Sequence, residues 1–189
     1  MKKFIIFTLM LFFALTSGSA QEKETKSTSK TVEFLSKDGS FFKKEFYDLP
    51  AVGGSYNKVD CQVLIVTDMK SSEKRGCLRL TTYYNSSVSS DSYIGTLDPD
   101  ELDACIMCFE KILSEITTST PPTYTEVEYK TRDGVQLGTY HNTKKNEWVT
   151  YVQTKSYTDR SMSSVSASNV SSLIQNLRDA KVMIAEKTK

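Results

Sequence analysis

Histidine occurs once in the chain, at position 141, and that scarcity removes several chemistries at the outset. A zinc site built on imidazole wants more than one such ligand, and a Ser-His-Asp arrangement would have only His141 as its base. The sequence has no G-x-S-x-G elbow, no H-E-x-x-H pair and no glycine-rich phosphate loop, the short signatures of hydrolases, zinc peptidases and nucleotide-binding proteins. Neither sign of charge dominates. Lys and Arg number 24 against 23 Asp and Glu, a net charge of +1, which excludes a strong global field for polyanions while leaving room for a local basic patch. Beyond the N-terminal segment no run is apolar enough to cross a bilayer. Proline is scarce, whereas Ser, Thr, Tyr and Phe are frequent, which is the usage of a β-rich globular domain with polar strand faces.

The N-terminal segment has three parts in order. Lys2 and Lys3 supply a positive start, Phe4 to Leu15 form an apolar run broken only by Thr8, and Thr16 to Ala20 are small and polar. Gly18 and Ala20 satisfy the small-residue rule for cleavage, so residues 1–20 are expected to be a secretory signal peptide, with Gln21 first in the mature chain. The apolar run falls short of the about 20 residues that span a bilayer. No cysteine follows the cleavage site, so a lipoprotein route is not indicated. The expected product is exported, periplasmic or secreted, with no stable membrane anchor after cleavage. Removal of Lys2 and Lys3 turns the charge balance weakly negative.

The mature chain reads as a duplication. Residues 21–30 (QEKETKSTSK) carry no apolar side chain and form a flexible leader. Repeat 1 covers residues 31–116, a linker (TTSTPPT) residues 117–123, and repeat 2 residues 124–189. Val32–Gly39 (VEFLSKDG) reads against Val127–Gly134 (VEYKTRDG), each an extended run meeting an Asp-Gly hairpin signal. A second strand is expected at Ser40–Leu49 and at Val135–His141. Further strands follow at Val59–Thr67, Gly76–Tyr84 and Ser92–Leu97, and then at Glu147–Lys155 and about Arg160–Val165. A helix closes each copy. The first runs from about Pro99 to Ile116, with Asp98 as N-cap and Glu101 completing a capping box. Its apolar stripe is Leu102, Cys105, Ile106, Phe109, Ile112, Leu113 and Ile116. The second runs from about Ala167 to Ala185 behind Ser166, with the stripe Val170, Leu173, Ile174, Leu177, Ala180 and Ile184. The two stripes superpose except where Lys181 stands opposite Leu113. The predicted fold is α+β: an internally duplicated antiparallel four-stranded sheet with a C-terminal helix in each repeat, the helices packed on the sheets.

This order of elements resembles the PUR-alpha and Whirly family of single-stranded nucleic-acid-binding proteins. The second copy carries most of the likeness, with Val135–His141, the polar turn Asn142–Asn146, the strand Glu147–Val152, and then a Ser-rich strand and helix. The resemblance implies binding of single-stranded nucleic acid. It brings no residue motif and therefore assigns no site residue, and an exported, weakly acidic product points away from nucleic acid as partner.

Four cysteines in an exported chain are disulfide candidates, and Cys61 and Cys77 lie on successive predicted strands. Cys105 and Cys108 form C-x-x-C. A redox pair works best at a helix N-terminus, where free amides lower the thiol pKa. Here Cys105 falls about two turns past the cap, at the core position that Leu173 holds in the second copy. The pair therefore reads either as redox chemistry or as a core residue with a rim neighbour. Asp98, Asp100, Glu101 and Asp103 cluster where capping explains them. His141 lies near a hairpin end and reads as a surface turn residue. Aromatics interleave with basic residues, and Trp148, Tyr151, Lys144, Lys145, Tyr83 and Arg79 form a candidate binding surface, against the alternative that such aromatics pack across strands. No cofactor, metal or catalytic constellation is expected. The functional expectation is a binding or interaction module for a surface polymer or a protein partner. The alternatives are single-stranded nucleic-acid binding and thiol–disulfide chemistry at Cys105 and Cys108.

Overall fold

Burial alternates along Lys44–Pro50, Glu126–Lys130 and Met162–Val165, is continuous over Val63–Val66 where the sheet is covered on both faces, and recurs at period 3.6 in the two long helices. The computed structural model describes residues 29–53 and 58–189. The expected signal peptide and residues 21–28 of the leader lie outside the described residues. Strands β1 (Phe42–Val52), β2 (Val59–Asp68), β3 (Lys74–Asn85) and β4 (Ser90–Leu97) form one antiparallel meander. Strands β5 (Glu126–Lys130), β6 (Gln136–Asn142), β7 (Glu147–Gln153) and β8 (Met162–Val165) form a second with the same order. Helix α1 (Lys30–Leu35) precedes the first sheet. Helix α2 (Pro99–Lys111), prolonged by a π-helical turn over Ile112–Ile116, follows it, and α3 (Ala167–Lys187) follows the second sheet. The architecture is the α+β duplication of sheet units that the sequence predicts.

The second helical stripe is buried as read, and the first is buried as far as Ile112, with Ile116 only half-buried. Leu102, Cys105, Ile106, Phe109 and Ile112 of the first, and Val170, Leu173, Ile174, Leu177, Ala180 and Ile184 of the second, join one core with Val63, Leu78, Leu80, Leu137 and Val152 of the two sheets. Leu113 leaves the stripe. It sits in the π-helical turn and is exposed, as is its counterpart Lys181, so the one mismatch in the superposition falls at a solvent position in both copies.

The N-terminal match does not survive. Val32–Leu35 is helical, not extended. Ser29 caps this turn, its Oγ accepting from the Val32 amide at 3.4 Å, and the helical spacing puts Thr31 and Phe34 on one buried face. Asp38-Gly39 then leads into β1, whereas Asp133-Gly134 joins β5 to β6, with both glycines at positive φ (68° and 83°) where a side chain would be strained. The two VE…DG stretches therefore occupy different places in the repeat, and β1, not Val32–Ser36, is the topological equivalent of β5.

Helix α3 does not stay with its own unit. It lies across β1, β2 and β3 of the first sheet and touches β7 of the second, while α2 packs on α3, β3 and β5. Asn176 Nδ2 donates to the Pro50 carbonyl at 2.6 Å. The Lys187 ammonium stands 4.0 Å from the centre of the Tyr47 ring, and Lys74 Nζ donates to the Lys187 and Lys189 carbonyls at 3.2 Å, where a cation suits the negative end of the helix dipole. Gly76 lets the helix approach, because a Cβ there would stand 2.9 Å from Ile184 Cγ2.

The sheets meet where β3 and β4 face the loops of the second unit. Thr82 Oγ1 lies 2.7 Å from Thr154 Oγ1 and donates to the Ser161 carbonyl at 2.8 Å, and the Thr96 amide donates to Asp133 at 2.8 Å. Gly95 sits in this seam, where a Cβ would overlap a Val135 methyl and stand 2.7 Å from the Thr154 carbonyl oxygen. Gly95→Val should accordingly lower unfolding stability by about 1–3 kcal/mol or more, the usual cost of overpacking a rigid contact. Urea unfolding of the variant, monitored by Trp148 fluorescence, measures this, and an unchanged midpoint would show that the seam yields freely.

Candidate functional site

The outward face of the first sheet follows from register. Val59, Cys61, Val63 and Ile65 of β2 point to the helices, so Asp60, Gln62, Leu64 and Val66 point away. Pairing of Asp48 with Gln62, Gln62 with Arg79, and Arg79 with Thr96 makes one row across all four strands of that face. Helix α1 covers one half of it, where Phe34, Leu64, Val66 and Cys77 form a small second core with Leu35 and Phe42 beside them. Among the described residues the other half is open. There Phe46, Tyr83 and Ile94 are exposed, and a mainly polar depression of about 440 Å³ is lined by Tyr83 with Asp48, Lys58, Asp60, Gln62 and Arg79, with Phe46 and Ile94 outside its lining.

Polar side chains fill the floor of that depression in two chains of hydrogen bonds. Gln62 Nε2 donates to Asp48 Oδ1 at 2.6 Å, and Arg79 Nη1 donates to Gln62 Oε1. The same guanidinium stands 5.8 Å from the centre of the Phe46 ring. In the neighbouring chain Tyr83 Oη donates to Asp60 Oδ2 at 2.6 Å and Lys58 Nζ pairs with Asp60 Oδ1 at 2.7 Å. Burial pushes the Asp60 carboxyl up, but the hydrogen bonds from Lys58 and Tyr83 outweigh it and hold the group below the usual carboxylate range. The same hydrogen bond to Asp60, with burial, raises the Tyr83 hydroxyl.

Of the six residues in the sequence-predicted surface, Arg79 and Tyr83 lie on this face, four residues apart and of one parity on β3. The others do not join them. Trp148 and Tyr151 differ by an odd number along β7 and take opposite faces of the second sheet. Trp148 pairs with His141 and donates from Nε1 to the Ser119 carbonyl at 2.8 Å. Tyr151 is 3% exposed and pairs with Gly138. The missing side chain there lets its ring cross β6, so that the hydroxyl reaches Glu126 at 2.6 Å and Glu128 at 3.3 Å on β5. Lys144 and Lys145 stand exposed in the β6–β7 turn. The residues that sequence reading passed over are Phe46, Asp48, Asp60 and Gln62. Their signal was the alternation within β1 and β2, legible once the β1–β2 register is fixed.

His141 is a correction. It is 3% exposed, on the inner face of the second sheet, with its ring 5.2 Å from that of Trp148. It is the last but one residue of β6, on the inward parity of Leu137 and Thr139, and the turn begins beyond Asn142. Its Nδ1 is buried without a hydrogen-bond partner.

The cysteines are free thiols. Cys61 pairs across the ladder with Leu80, and Cys77 with Leu64, so Cys61 faces the helices and Cys77 the α1 side. They lie three ladder positions apart, roughly 10 Å at 3.3 Å per residue, on opposite faces, and a disulfide between them is excluded by geometry. Burial raises the Cys61 thiol to about 11 and the Cys77 thiol to about 12, and it also raises Cys105 and, less enclosed, Cys108. A redox nucleophile needs the opposite shift.

The acidic cluster at the start of α2 binds chain segments together. Asp98 is fully buried. It accepts from Ser29 Oγ (3.1 Å), the Lys30 amide (2.7 Å), the Thr31 amide and hydroxyl (3.1 and 2.9 Å), and Arg132 Nη2 (3.1 Å). Glu101 Oε2 accepts the Asp98 amide at 2.8 Å, as a capping box requires, and its other oxygen accepts the Arg132 amide at 2.8 Å. Hydrogen bonds from Arg132 and Lys30 hold the Asp100 carboxyl well below the usual range. Comparison with protein-family profiles, with curated proteins and with solved structures finds no match.

Two outcomes follow for these groups. Tyr83→Phe removes one of the bonds that hold Asp60 down, so its titration midpoint, read from side-chain carbonyl NMR shifts, should move up toward the ordinary value of about 3.9. In the wild type the contribution of Asp60 to stability is present above that unfolded value and is lost as pH falls through the lower folded one. A midpoint unmoved by the substitution contradicts the assignment. For the thiols, a disulfide reagent at mildly alkaline pH should label Cys108 first and leave Cys61, Cys77 and Cys105 unreacted until denaturant is added. Rapid native labelling of Cys105 contradicts its burial.

Proposed function

We propose that the protein is an exported binding module that holds its ligand on the open half of the outer face of the first sheet. The observation that carries this reading is the Arg79–Gln62–Asp48 row with exposed Phe46 on one side of it and exposed Tyr83 on the other, roughly 20 Å apart along the strands. Aromatic rings left part-exposed next to oriented polar groups are the composition of a recognition surface. Export rests on the sequence of residues 1–20. In the described residues no helix is long and apolar enough to cross a membrane. A surface polymer or a protein partner is the expected occupant.

Single-stranded nucleic acid is a second reading, favoured by the tandem order of four strands and a helix. It predicts stacking on the same aromatics and a steep loss of affinity with salt.

The test uses the full chain and a cell-envelope fraction as bait. Phe46→Ala and Tyr83→Ala should each reduce retention on that fraction at least roughly tenfold, about 1.4 kcal/mol, with unchanged circular dichroism. Retention equal to wild type for both variants would overturn the assignment of this face.

A further inference from the structure

The chemistry of the open sheet face selects among ligand classes. Its charges cancel in place. Lys58 is paired with Asp60, and Arg79 and Asp48 are the two ends of one hydrogen-bonded row joined through Gln62. A polyanion gains affinity from cations whose counterions it displaces. The two cations that line the depression, Lys58 and Arg79, stand with Asp48 and Asp60 among its other lining residues, so such a strand meets Asp48 and Asp60 there as closely as it meets Lys58 and Arg79, and the exposed Lys44, two residues from Phe46, lies outside that lining. A cationic ligand faces the mirror problem.

A peptide is disfavoured on different grounds. Peptides that dock on sheets add to an edge, where free main-chain groups supply the bonds. The polar floor of this depression, Asp60, Gln62 and Arg79, lies on the face of the sheet over β2 and β3, whose main-chain groups are paired on both sides, and its rim reaches Leu49 and Ala51 of the edge strand β1 and Ser92 of β4. What the face does present is planar polar side chains, each both bonded and with valence to spare. A carboxylate has about four lone-pair sites and a guanidinium five donors, and the bonds within the face use one or two of each. Beside them lie two flat rings, Phe46 at 52% and Tyr83 at 37% exposure. The depression is within the about 300–1,000 Å³ range of ligand clefts.

We infer that this face takes a neutral, hydroxyl-rich glycan chain, with the C–H faces of its sugar rings on Phe46 and Tyr83 and its hydroxyls bonded by Asp48, Asp60, Gln62 and Arg79. Sugar hydroxyls donate and accept, as these carboxylate, amide and guanidinium groups require in alternation, and a sugar ring presents an apolar face to an aromatic one. The inference rests on the reading of this face as the ligand face and names the ligand chemistry for it.

Affinity electrophoresis of the full chain decides it, through native gels containing in turn dextran, a mixed-linkage β-glucan, xylan, mannan and glycol chitin, with poly(dT) and heparin as polyanion probes. At least one neutral polysaccharide should retard the wild type. That retardation should persist between about 50 and 500 mM salt, since no counterions are released, and Phe46→Ala, Tyr83→Ala and Gln62→Ala should each weaken it by roughly tenfold. Retardation by poly(dT) or heparin alone, abolished by high salt and by the Phe46 and Tyr83 substitutions, overturns the glycan while leaving the face as the ligand site. Retardation by a glycan that none of the three substitutions alters overturns both. Failure of every neutral polysaccharide to retard the wild type overturns the glycan.

Discussion

The packing of α3 across the first sheet is the contact on which the rest of the structure depends. A meander with one apolar face must bury that face, and β1, β2 and β3 bury theirs under a helix that the chain supplies only at its end. Ile184 against Gly76 and Asn176 on the Pro50 carbonyl fix the helix in place. The two repeats therefore share one core, with Leu78 and Leu80 of the first sheet and Leu137 and Val152 of the second in the same cluster. Because the inner face is closed in this way, the outer face of the first sheet is the one left to α1 and solvent.

Asp98 then determines how much of that outer face remains. A fully buried carboxylate is tolerated only with its lone pairs satisfied, and here the partners come from Ser29, Lys30, Thr31 and Arg132. The first three start α1, and α1 lays Phe34 over Leu64, Val66 and Cys77. The same α2 N-terminus thus holds its own helix through Glu101, the β5–β6 turn through Arg132, and the segment that covers half of the sheet. The open half, with Phe46, Gln62, Arg79 and Tyr83, is what this fastening leaves uncovered.

The helical stripes were legible in the sequence because their period survives any tertiary environment in which one face is buried, and the strands after them because they alternate between turn signals. The equivalence of Val32–Gly39 with Val127–Gly134 misled because local similarity does not set conformation. The first stretch begins at a capping serine bonded to Asp98, a residue 69 positions away, and becomes helix, whereas the second lies in a sheet. Parity in β7 already separated Trp148 from Tyr151, and parity in β3 already joined Arg79 to Tyr83. The burial of His141 and the opposite faces of Cys61 and Cys77 needed the register of β6–β7 and β2–β3, which hairpin lengths alone left open. Phe46 and Gln62 became visible as site residues only when the β1–β2 and β2–β3 registers put them beside Arg79.

The dependence of the first unit on the last helix is open to direct measurement. Residues 29–123 comprise α1, the first sheet and α2 without α3, and their urea unfolding, followed by far-ultraviolet circular dichroism, isolates the contribution of α3. With the inner face of β1, β2 and β3 uncovered, this fragment should show no cooperative transition, whereas the full chain should unfold in a single one. A cooperative transition in the fragment, with a midpoint near that of the full chain, would contradict the account, because the first sheet would then be closed without α3.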